Sequence, residues 1–88
     1  MTEQQLLDLL RSAVATVLEV DPGSVSRSTR FKEDLKADSL ALVEIVEIVE
    51  EDLTRQRPGF RMQDEDLDDL LTLGDAVAYA LSRLSGRP

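Results

Sequence analysis

Apolar residues return at steps of three and four along several stretches of this chain, and that spacing restricts it to packed helices. Leu6, Leu9, Leu10, Ala13, Val14, Val17 and Leu18 fall on one helical face, which predicts a first helix over about residues 3–18. Thr2 followed by Gln5 supplies a capping box for its start, and Asp21-Pro22-Gly23 ends it. Asp21 before Pro22 also suits the cap of a single helical turn. Leu42, Ile45, Val46, Val49 and Leu53 form the stripe of a second helix. Leu67, Leu70 and Leu71 predict a short third helix over 63–71, and Leu73, Val77, Ala80, Leu81 and Leu84 a last one over about 73–84. Thr72 with Asp75 three residues on reads as its cap, with an acid suited to the positive end of the helix dipole. The expected fold is all-α: a small four-helix bundle of three main helices and one short helix, with a long loop between helices one and two, forming a single domain over residues 1–88.

That loop, residues 21–37, has no clear periodicity, and Val25, Phe31 and Leu35 look like its anchors to the core. A loop this long in so small a domain is often functional. It ends in Leu35-Lys36-Ala37-Asp38-Ser39-Leu40, immediately before the second helix. An Asp-Ser pair in that place puts one hydroxyl at the positive end of a helix. Ser39 then has two readings: it caps the helix, or it is modified there, since helix N-termini favour a bound phosphate.

Composition removes most chemistry. The chain has no cysteine and no histidine, so it lacks a thiolate, the commonest general base and the commonest transition-metal ligand. Carboxylates are abundant, but a thin core of this size has no room to desolvate a pair of them. Its four glycines are isolated, so no phosphate-cradling loop is present. No catalytic residues are expected. Asp64, Asp66 and Asp68, with Thr72 and Asp75, have the alternation of a calcium loop, but Asp69 stands where glycine is required and Asp75 where glutamate is preferred. No metal site is expected.

The formal net charge is −8, from 18 acids and 10 bases. Such a chain is repelled by nucleic acid and anionic lipid, so neither is expected as a partner. Acidity either keeps a small protein in solution or selects basic partners. Between Glu33 and Leu53 there are eight acids and one base, Lys36. Leu40 and Val43 fall toward the polar side of the second helix, which makes the acidic face either a solvated surface or a docking surface. Thr54 to Arg61 breaks the pattern with Arg55, Arg57 and Arg61 around a Pro58-Gly59 turn. This basic segment either folds back on the acidic helix or faces another partner; Phe60 and Met62 alternate with Arg61 as buried side chains. No apolar run approaches the roughly 20 residues of a membrane span. The start, Met-Thr-Glu-Gln-Gln, does not read as a signal peptide, so a cytoplasmic monomer is expected.

Phe31-Lys-Glu-Asp34-Leu35-Lys36-Ala37-Asp38-Ser39-Leu40, with Val43-Glu44-Ile45 beyond it, resembles the phosphopantetheine attachment motif of acyl carrier proteins. That family commonly reads Phe-x-x-Asp-Leu-Gly-Ala-Asp-Ser-Leu-Asp-x-Val-Glu-Leu. Asp64-Glu-Asp-Leu and Thr72-Leu-Gly-Asp-Ala-Val-Ala-Tyr79 are similar to its third and fourth helices, so the resemblance covers about residues 3–84. It implies that a phosphopantetheinyl transferase moves 4′-phosphopantetheine from coenzyme A onto Ser39. The thiol of that arm then carries acyl groups as thioesters to polyketide or fatty-acid enzymes. Asp38 lies beside the attachment point, and Leu40, Val43, Glu44 and Glu47 fall on the family's docking face. Ketosynthases, acyltransferases or acyl-activating enzymes with basic patches are the implied partners.

Four departures separate the chain from the common pattern. Lys36 replaces the usual glycine, which would be strained at positive φ; Ala41 replaces an Asp; Glu47 stands where methionine is frequent; and the basic connection 54–59 is long. They favour a discrete carrier of polyketide or related secondary metabolism. The alternatives are a peptidyl or aminoacyl carrier, whose motif more often reads Gly-Gly-His/Asp-Ser, and an unmodified acidic interaction module in which Ser39 only caps.

Overall fold

The computed structural model describes residues 2–62, 67 and 69–84. Three α-helices carry the fold: α1, Glu3–Leu18; α2, Ser39–Gln56; and α3, Leu73–Leu84, with a 3-10 turn at Pro22–Ser24. The all-helical bundle expected from the apolar spacing is the architecture found. Both α2 and α3 pack on α1. Leu6, Leu10 and Val14 of α1, Ile45, Val49 and Leu53 of α2, and Leu73 and Val77 of α3 supply the fully buried core. Each of these positions lies on the stripe read from its helix. Of the short third helix, residues 63–66 and 68 lie outside the described residues. Leu67 and Asp69 sit in a 3-10 turn, where the Leu70 N–H donates to the Leu67 carbonyl (3.1 Å). Leu67 and Leu70 are buried, but Leu71, expected inward, is 62% exposed. The tighter turn has three residues per rotation, so a helical i, i+4 register does not carry Leu71 to the core.

Helix starts follow local chemistry. The Thr2 hydroxyl accepts from the Gln5 N–H (3.2 Å) while the Gln5 side chain accepts from the Thr2 N–H (2.8 Å), which is the expected capping box. Asp21 caps the 3-10 turn through the Gly23 N–H (2.9 Å). At α3 the Thr72 hydroxyl accepts from the Asp75 N–H, and Asp75 Oδ2 accepts from the Leu71 and Thr72 N–H groups, all at 3.1 Å. This cap occupies the two residues that the calcium-loop spacing would have used at its end. Asp64, Asp66 and Asp68 lie outside the described residues.

The long loop is tied to the start of α3 by backbone. The Phe31 N–H donates to the Leu71 carbonyl (3.0 Å), Leu73 to Thr29 (3.1 Å) and Gly74 to Arg27 (2.8 Å). A β-carbon on Gly74 would lie 2.8 Å from the Arg27 Cγ and 3.2 Å from its carbonyl oxygen, so this approach needs glycine. Val25 and Phe31 are buried as the anchors, while Leu35 is half-buried.

The basic segment folds back on the protein. Phe60 N–H to Arg57 carbonyl (3.1 Å), with Gly59 at φ 89°, closes a turn at Pro58-Gly59 that buries Phe60 and Met62. The Arg57 guanidinium reaches the Arg83 and Leu84 carbonyls at the end of α3, where a cation suits the dipole. Among the described residues no helix is long and apolar enough to cross a membrane.

Candidate functional site

The site is the junction of the long loop with α2. Phe31, almost fully buried, sets its base: the Phe31 carbonyl accepts from the Ala37 N–H (2.9 Å), and Ala37 is itself buried. Between them the chain turns tightly. Asp34 and Leu35 both donate to the Arg30 carbonyl (3.1 Å each), and Asp34 Oδ2 accepts from the Arg30 N–H (2.8 Å). That backbone N–H, and then the Arg30 guanidinium, hold the Asp34 carboxyl below its ordinary value. Its contribution to stability is therefore complete above the unfolded carboxylate range and is lost as pH falls through the lowered pKa.

Lys36 adopts φ 54°, the left-handed conformation. The loop thus keeps the backbone that suits the family's glycine and places a lysine on it. A non-glycine residue there costs about 1–2 kcal/mol, of which glycine's greater freedom in the unfolded chain offsets about 0.5–1. Lys36→Gly should therefore raise stability by up to ~1.5 kcal/mol, read as a higher urea midpoint at unchanged slope. A lower midpoint would mean that the lysine side chain earns its place through contacts.

Asp38, in extended conformation, is the N-cap of α2: its Oδ1 accepts from the Ala41 N–H (2.8 Å). The cap reading of Ser39 is thereby replaced. The acceptor at position 38 takes the third amide beyond it, which leaves Ser39 as the first residue inside the helix. The Ser39 hydroxyl is exposed and has no hydrogen-bond partner among the described residues. The Ser39 and Leu40 backbone N–H groups are likewise unpaired among them, as helix starts require. A free hydroxyl beside two outward-facing amides at the positive end of an eighteen-residue helix fits an attached phosphodiester, with no buried group to be displaced.

Beyond Ser39 the first turns of α2 present Leu40, 68% exposed, with Glu44 and Glu47 also exposed. Val43 is only half exposed and packs in part against the core, so the expected apolar pair is one projecting leucine with a valine at its foot. Neither Glu44 nor Glu47 has an ion-pair partner among the described residues. The reading of the sequence missed Leu71, which is exposed beside Arg30, Lys32, Glu33 and Leu70 in a small cleft. Its spacing was equally compatible with burial, so no local signal separated the two.

A family model described as "Phosphopantetheine attachment site" matches residues 8–80, so the chain is of the class built to hold that arm. It is 33% identical over 82 residues to the acyl carrier protein of Lactobacillus acidophilus, covering 93% of this chain and 96% of that one. It is 38% identical over 86 residues to the acyl carrier protein of an Exiguobacterium species, covering 96% and 100%. The chain belongs to the acyl carrier protein family. Its prosthetic group is covalent 4′-phosphopantetheine, and it is a carrier, not an enzyme.

Proposed function

We propose that Ser39 is the attachment point of 4′-phosphopantetheine and that the chain presents acyl groups as thioesters to biosynthetic enzymes. The observation that carries this is the unpartnered Ser39 hydroxyl at the first position of α2, with capping done by Asp38 instead. In loading, the Ser39 oxygen forms a bond to the phosphorus of coenzyme A that bears the pantetheine. The bond from that phosphorus to the nucleotide breaks, adenosine bisphosphate leaves, and a base of the transferase takes the hydroxyl proton. The free amides of Ser39 and Leu40 face the developing phosphodiester charge, and the helix dipole acts in the same sense. The bound arm supplies the thiol that a chain without cysteine lacks.

Docking belongs to the neighbouring turns. Leu40, with Val43 at its base, offers an apolar contact, and Glu44 and Glu47 offer charge to a basic patch. Such contacts are weak and salt-sensitive, which suits a carrier that must release each enzyme in turn. A phosphopantetheinyl transferase and acyl-handling enzymes of polyketide or fatty-acid type, such as a ketosynthase or acyltransferase, are the partners, with the cytoplasm as their meeting place. The alanine at position 41 and the glutamate at 47 alter that surface from the common pattern and support a specialised carrier.

Incubation with coenzyme A and a promiscuous transferase should add one phosphopantetheinyl group, read by intact mass. No gain with a transferase that loads a control carrier would leave an unmodified acidic interaction module.

A further inference from the structure

Five of the eight acids between Glu33 and Leu53 lie within α2, and the structure divides them into two groups. Residues 39–49 carry two carboxylates, Glu44 and Glu47, and no cation. Residues 50–61 carry three carboxylates, Glu50, Glu51 and Asp52, and three guanidinium groups, Arg55, Arg57 and Arg61. Arg55 and Arg61 are placed against them, whereas Arg57 turns to the end of α3. Arg55 lies 3.6 Å from Glu51 and 3.4 Å from Asp52, and Arg61 lies 3.7 Å from Glu50. The Pro58-Gly59 turn brings Arg61 back alongside the helix. As individual ion pairs these add little to stability, since Arg55 and Glu51 are 71% and 74% exposed. Their effect on an approaching charge is different. An opposite charge well inside the screening length of about 8–10 Å removes most of the potential that a partner would feel, whether or not the pair holds one geometry.

We infer that Arg55 and Arg61 bias docking to the first three turns of α2, by offsetting two of the three acids of its later turns. The occupant is the cationic face of a phosphopantetheinyl transferase that also accepts the apolar Leu40. A uniformly acidic helix would let such a face bind in several registers along its length. With two of its three acids offset, the far half keeps a net charge of −1 against −2 in residues 39–49, so the most attractive register is the one beside Ser39. The basic segment thus acts on partner geometry without touching the partner, and it rests on the docking reading given above.

The test is the loading rate of the full chain at limiting and at saturating carrier concentration and low ionic strength, with coenzyme A and a promiscuous transferase. Helix content by circular dichroism confirms that each surface variant is folded. Glu47→Gln should lower kcat/KM about two- to five-fold, the range of one exposed charge pair. Glu51→Gln/Arg55→Gln, which removes one charge of each sign, should leave it unchanged. Arg55→Gln/Arg61→Gln should lower kcat and KM together, because the transferase then also binds in registers away from Ser39. Two results overturn the inference while sparing the docking reading: equal slowing by Glu51→Gln/Arg55→Gln and Glu47→Gln, or unchanged kcat and KM once both arginines are gone. If neither Glu44→Gln nor Glu47→Gln changes the rate, the docking reading falls and the inference with it.

Discussion

The Ser39→Ala chain is expected to fold normally and to take up no phosphopantetheine. Loss is complete because the hydroxyl oxygen is one end of the bond to be formed, and the chain has no cysteine to substitute for it. The fold survives because the Ser39 side chain is exposed, has no hydrogen-bond partner among the described residues, and does not cap α2. Alanine inside a helix is if anything better by a few tenths of a kcal/mol. Asp38→Ala is the complementary variant. It keeps the hydroxyl but leaves the Ala41 N–H without its acceptor, at a cost of about 1 kcal/mol. Loading should be slowed there and not abolished. Intact mass and urea unfolding of both variants check this together; a Ser39→Ala chain that still gains the group would place the attachment elsewhere.

Phe31→Ala should have the largest effect on stability, about 3–5 kcal/mol, as for other aromatic truncations in a core. For a domain of this size that is a large part of the whole, since native stability is about 5–15 kcal/mol. Phe31 heads the largest fully buried side chains, at 1% exposure. Its carbonyl and N–H also hold Ala37 and Leu71, so the same residue ties the approach to Ser39 and the start of α3 to the core. Loss of the ring should therefore lower the urea midpoint and slow loading in whatever fraction remains folded. A cost below about 1 kcal/mol would show that the loop is held by its backbone bonds alone.

The helices and their caps were legible because their causes are local. Periodicity placed α1 and α3 at the bounds found, and the Thr2–Gln5 and Thr72–Asp75 pairs capped them as read. The attachment motif and the serine it would modify were legible as a resemblance, but which residue caps α2 was not. Asp38 and Ser39 are both good caps in isolation; in the structure Asp38 is extended and accepts from the Ala41 N–H, which puts Ser39 inside the helix. Leu71 failed for a related reason: its spacing fits a helix, whereas the chain there must turn to meet the loop through the Leu71 carbonyl.

By itself, then, the sequence determined an all-helical chain with one hydroxyl at a helix start and an acidic surface behind it. Those properties depend on spacing and composition within a few residues. Tertiary structure decided three things that involve residues distant in sequence or alternative partners. It freed the Ser39 hydroxyl by giving the cap to Asp38, and it fixed the left-handed turn at Lys36. It also turned the arginine segment back onto the acids of α2 and the end of α3, so that uncompensated charge remains beside Ser39. Each of these is a choice between locally equivalent options, and only packing against the rest of the chain separates their energies.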